Sequence, residues 1–139
     1  MNDSWSVVIT GEQWAALHGH LFPGDGDEHG LVLRCGIARS PRGTRLLVRD
    51  VVPATDGVDY VEGSRGYRKL TAEFVADNID VCAQEKLAYI AVHNHGGCDR
   101  VSFSGTDMAS HERGYPALLD INDGVPVGAL VFANNAVAG

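Results

Sequence analysis

A mixed α/β domain, with a sheet flanked by helices, is the fold class this sequence predicts. Three observations point to it. Apolar β-like runs and segments of helical period alternate in the order β-α-β-β-α-β-α-β. One run, residues 87–93 (LAYIAVH), is nearly continuous in apolar residues, as a buried central strand is. Helix-capping residues stand directly before the periodic segments, at Thr10, Thr71 and Ser104.

Each element follows in order. Residues 5–9 (WSVVI) read as a short strand. Thr10 caps a first helix, and Gln13, three positions on, completes a capping-box pattern. That helix runs to about His20, with Trp14, Leu17 and Leu21 inward and His18 and His20 as ordinary surface residues. Pro23, Gly24 and Gly26 break it. Residues 29–39 and 44–52 are β-like, and the turn residues Ser40-Pro41-Arg42-Gly43 join them into a hairpin. Residues 53–70 show no period and form a long loop, a common home for binding segments. Thr71 caps a helix from 72 to about 86 that places Val75, Ile79, Cys82 and Ala83 on one face. After the central strand and a loop over 94–103, Ser104 caps a helix of about 105–113 that ends near Gly114 and Pro116. Residues 125–133 make a last full strand. The closing Ala136-Val137-Ala138-Gly139 reads as the start of a further strand, so a domain excised from a longer protein is expected.

The 139 residues amount to one ordinary domain, and with 45% of them apolar they can bury a core. At 21% charged residues the composition is that of a globular chain. The formal net charge of −7 argues against a nucleic-acid partner, which needs clustered Lys and Arg. No apolar stretch approaches the roughly 20 residues that span a bilayer, so no membrane association is expected. The odd count of three cysteines, Cys35, Cys82 and Cys98, has no regular spacing and does not resemble a disulfide framework. With no secretion signal in residues 1–8, a cytoplasmic location is expected.

The chemistry lies in the second half. His93 and His95 stand one residue apart at a strand end, where positions i and i+2 share a face. Two imidazoles can therefore converge on one point. Asp107, twelve positions after His95 in the first turn of the next helix, can deliver a carboxylate to the same point. Two His and one Asp leave a fourth position for water, the open coordination of a catalytic Zn2+. Zinc lowers the pKa of its water towards 7, and a general base is then required. Glu28, at the mouth of the 29–39 strand, is the candidate. The Ser104 hydroxyl could donate to the oxyanion of a tetrahedral intermediate.

These residues have plainer readings too. A His-x-His at a strand end arises by chance. Ser104 and Asp107 also suit an N-cap and a helix-dipole acid. Glu28 taken alone could be a solvated loop carboxylate. Cys98 is close enough for a thiolate ligand, with incidental placement favoured. His111, one helical turn after Asp107, could reach the site, with a surface position favoured. The residues of an HNH nuclease are spread over a longer ββα unit, so that motif does not apply to His93-Asn94-His95.

Taken in order, Glu28-His29-Gly30-Leu31-Val32-Leu33, His93-Asn94-His95 and Ser104-Gly105-Thr106-Asp107 resemble the JAMM signature of the JAB/MPN family. That signature is a Glu before a Gly-Leu-rich strand, a His-x-His and a Ser-x-x-Asp. The resemblance covers most of the chain and implies the cytidine-deaminase-like sheet of that family, in a single domain over residues 1–139. It implies a zinc metalloprotease that cleaves isopeptide or peptide bonds after the C-terminal tail of ubiquitin or ubiquitin-like proteins. By the same resemblance His93, His95 and Asp107 hold zinc, Glu28 is the base and Ser104 serves the oxyanion. The stretch 101–119 looks most like bacterial members, which are often encoded beside or fused to ThiF-like activating enzymes. Two departures stand out. Gly96, followed by Gly97, occupies the place usually held by Pro after the second His, and the eleven residues from there to Asp107 are one more than usual. Three other function classes share features with the chain: a non-catalytic MPN interaction module, a RadC-like protein, and a hydrolase releasing a small amine from a carrier protein.

Overall fold

A computed structural model describes residues 4–61, 69–96 and 99–139. They form a mixed α/β fold: a six-stranded mixed sheet with three helices. The elements are β1 (Trp5–Val8), α1 (Gly11–Leu21), β2 (Gly30–Ser40), β3 (Gly43–Pro53), α2 (Ala72–Glu85), β4 (Ala88–Asn94), α3 (Gly105–Ile121), β5 (Val127–Ala133) and β6 (Ala136–Ala138). The strand order is β1-β3-β2-β4-β5-β6. β1 lies parallel to β3 and β4 parallel to β5, whereas the β2–β3, β2–β4 and β5–β6 pairs are antiparallel.

The expected hairpin is β2–β3. Gly43 turns it with φ of 130°, and an added Cβ there would run into the Ser4 carbonyl oxygen. That carbonyl accepts the Thr44 N–H at 2.9 Å and so seats β1 against β3. Leu31, Val32 and Leu33 are buried on consecutive positions, which requires cover on both faces of the sheet. Alternation sorts them into two cores. Leu31 and Leu33 join Ile90, Val92 and Phe132 under Leu17 and Leu21 of α1. Val32 joins Leu87 and Tyr89 under Phe74, Ile79 and Cys82 of α2, with Leu118 of α3 against them.

Several expectations change. Trp14 is 43% exposed; α1 covers only part of its face of the sheet, and the indole lies at the rim, 5.8 Å from the Phe132 ring. On α2 the fully buried residues are Phe74, Asn78, Ile79 and Cys82, while Val75 and Ala83 are half-buried. The helix α3 does not stop near Gly114; it carries Pro116 inside it and runs to Ile121. His18 and His20 are half-buried, not surface residues: His18 Nε2 lies 3.2 Å from the Asn134 carbonyl and His20 Nε2 2.9 Å from that of Gly30. As expected, a further strand begins at residue 136: Ala136–Ala138 form β6, paired with β5. Of the 53–70 loop, Tyr60 and Leu70 bridge to one another, and residues 62–68 lie outside the described residues, as do Gly97 and Cys98. Among the described residues, no helix is long and apolar enough to cross a membrane.

Candidate metal centre

Sheet register delivers the two imidazoles. His93 sits opposite Gly30 on β2 and Val131 on β5. Alternation along β4 turns it to the face of Tyr89 and Ala91, the face that α2 and α3 cover. β4 ends at Asn94, but the His95 N–H donates to the Phe132 carbonyl at 2.8 Å. That bond keeps the chain beside β5 for one more residue and holds the second imidazole in step with the first.

Asp107 arrives from the first turn of α3, which packs on that same face. Ser104 caps that helix: its hydroxyl accepts the Asp107 N–H at 3.0 Å, and the Asp107 Oδ2 accepts the Ser104 N–H at 2.8 Å. The reciprocal pair fixes the carboxylate, which is buried at 4% exposure. The same Oδ2 lies 3.3 Å from His93 Nε2 and 3.1 Å from His95 Nε2, and the two Nε2 atoms are 3.1 Å apart. These three residues could hold a metal ion. Glu28 stands just before β2 with its Oε1 3.9 Å from His95 Nε2.

The electrostatics suit a cation. Burial pushes the His93 imidazole below its ordinary pKa and His95 adds to this, against the pull of Asp107. Burial pushes the Asp107 carboxyl up, but the Ser104 backbone N–H, the His93 ring and the Ser104 hydroxyl outweigh it and hold the group below the ordinary carboxylate value. A neutral imidazole and an ionised carboxylate are the forms that offer lone pairs to a metal.

All five sequence-predicted residues thus lie in one neighbourhood: His93, His95 and Asp107 in contact, Glu28 beside His95, and Ser104 joined through Asp107. His111 is not the surface residue favoured from sequence. Its ring stacks on Tyr115 at 4.8 Å, meets Phe103 edge-on at 5.0 Å, and lines a cavity with His93 and Asp107. Asn94 and His29 were missed. Asn94 is buried, with its Oδ1 accepting the His29 N–H at 2.6 Å and its own N–H donating to the His29 carbonyl at 3.3 Å. His29 Nε2 in turn lies 2.8 Å from Asp25 Oδ2. The available signal was alternation, which turns Asn94 to the face opposite His93 and His95.

No protein-family model matches this chain, and no curated protein matches it.

Proposed function

We propose that this chain is a zinc-dependent hydrolase of the JAB/MPN (JAMM) type. Its substrate is an amide bond, peptide or isopeptide, after the C-terminal tail of a ubiquitin-like protein, and a ThiF-like activating enzyme is its proposed pathway partner. One observation carries the reading: the triangle of donor atoms on His93, His95 and Asp107, with sides of 3.1, 3.1 and 3.3 Å. Tetrahedral zinc with ligand bonds of about 2.0–2.1 Å needs ligand atoms about 3.3–3.4 Å apart. The triangle fits with little adjustment, and two imidazoles with one carboxylate are a donor set suited to zinc.

When bound, zinc would polarise the scissile carbonyl and make water nucleophilic near neutral pH. The chain's own residues supply the remainder. Glu28, 3.9 Å from His95, accepts the proton of the attacking water and returns it to the leaving amine nitrogen. The Ser104 hydroxyl accepts the Asp107 N–H and helps hold the Asp107 carboxylate, and turning its hydrogen from that carboxylate to the substrate would serve the oxyanion. The Asp107 carboxylate balances charge and is held still by the cap.

Elemental analysis after extensive dialysis is the first test, with close to one zinc per chain expected. A ubiquitin-like protein carrying a reporter amine on its C-terminal carboxyl is the second; cleavage should stop on chelation and return with zinc. A chain that takes up no zinc on titration would overturn the reading.

A further inference from the structure

Behind the metal centre, between the sheet and the helices α2 and α3, lies a cavity of about 210 Å³ that reaches His93 and Asp107. Its walls include Leu70, Val75, Ala91 and Leu118, all apolar. Three tyrosines, Tyr60, Tyr89 and Tyr115, also line it, and the hydroxyls of Tyr60 and Tyr115 are engaged with backbone. Tyr60 Oη accepts the Gly30 N–H at 2.7 Å, and Tyr115 Oη donates to the Gly128 carbonyl at 3.2 Å. What these two residues offer the cavity is therefore ring surface. The His111 ring, stacked on Tyr115, adds another flat wall.

We propose that this cavity is a substrate pocket that takes an aromatic or large apolar side chain flanking the scissile bond. Size supports that occupant, since a dry apolar cavity of about 150 Å³ already holds a benzene ring. Chemistry supports it too: a concave, largely apolar site with a few convergent polar groups is the usual form of a ligand pocket, and here the polar groups are the metal-site residues His93 and Asp107 together with Lys69 and Ser110. Ring-on-ring contacts with Tyr60, Tyr115 and His111 favour a planar group over a branched one. A substrate with glycine at both flanking positions would leave the pocket empty. The preferred substrate class is thus a tail or precursor with a bulky residue at the cut.

The assignment rests on the hydrolase reading, but its test does not need turnover. The purified chain is titrated with N-acetyl-phenylalanine amide and with N-acetyl-glycine amide, and amide shifts are followed by NMR. The phenylalanine probe should bind about tenfold or more tightly, with shifts at Ala91, His111 and Tyr115. Ala91→Leu should fill the space and abolish them. Should that variant not fold, Gly114→Leu is a second plug, at a cavity-lining position where an added Cβ meets nothing within 4 Å. Equal binding of the two probes, or shifts that persist in a folded plugged variant, would overturn the pocket. Selective binding with no tail cleaved would leave the pocket standing and remove the hydrolase reading alone.

Discussion

Asn94 and His29, sixty-five positions apart in sequence, are joined by two hydrogen bonds: the Asn94 side-chain oxygen takes the His29 N–H at 2.6 Å, and the Asn94 N–H reaches the His29 carbonyl at 3.3 Å. The pair clamps the segment that carries Glu28 onto the strand that carries both imidazoles. Asn94→Ala leaves a buried N–H without its acceptor, at a cost of about 1–3 kcal/mol. Urea unfolding should show the midpoint fall, with less loss in Asn94→Asp, which keeps an acceptor oxygen. An unchanged midpoint in Asn94→Ala would mean the clamp contributes nothing.

In the proposed mechanism metal binding and proton transfer fall on different side chains, so they separate by mutation. Glu28→Ala should retain zinc and lose cleavage, because Glu28 stands beside the donor triangle and not in it. His95→Ala removes one corner and should lose both. Zinc content and turnover measured on the same preparations decide this, and full cleavage by a folded Glu28→Ala chain would remove the base from the mechanism.

A ligand that binds only the folded chain stabilises it by mass action, about 2.7 kcal/mol when free zinc stands 100-fold above its Kd. Thermal melts of the wild-type chain should therefore shift downward on chelation. The His95→Ala variant should melt at one temperature with or without chelator. A wild-type Tm indifferent to zinc would contradict a site formed by folding.

The donor triangle was legible because each part is local. The i, i+2 rule sets His93 beside His95, and a capping box sets the direction of Asp107. The Asn94–His29 clamp was not, since it depends on which strands are neighbours and in what register. Trp14 sits on the inward stripe of its helix, yet α1 is placed so that the stripe's end overhangs the sheet. Gly114 and Pro116 oppose helix by about 1 and 3 kcal/mol. Tertiary contacts overrule them: Leu118 packs on the second core, and the Asn122 amide at the C-cap donates to the Leu87 carbonyl at 2.9 Å.

Burial pushes the Cys35 thiol up to about 12 and the Cys82 thiol up to about 11. Both therefore stay protonated and out of reach at neutral pH, and the thiolate is the reacting form. Iodoacetamide on the native chain at pH 8, followed by peptide mapping, should leave both unlabelled. In urea above the unfolding midpoint both should label fully. Rapid native labelling at either site would show that this part of the core opens readily.

Ser104 caps α3 and is the oxyanion donor of the proposed mechanism, and glycine tells the two roles apart. Replacing a capping serine by alanine costs about 0.5–2 kcal/mol, whereas glycine costs only a few tenths. Ser104→Gly should therefore keep α3 and the Asp107 direction nearly intact, since the Asp107 carboxylate still accepts the backbone N–H of residue 104. Zinc content should stay close to wild type. Cleavage should fall by about 10²–10³ in kcat, the usual consequence of losing one oxyanion donor. Ser104→Ala should add a loss of stability to the same loss of rate. A Ser104→Gly chain with full zinc and wild-type kcat would confine Ser104 to its cap, and the oxyanion would need another donor.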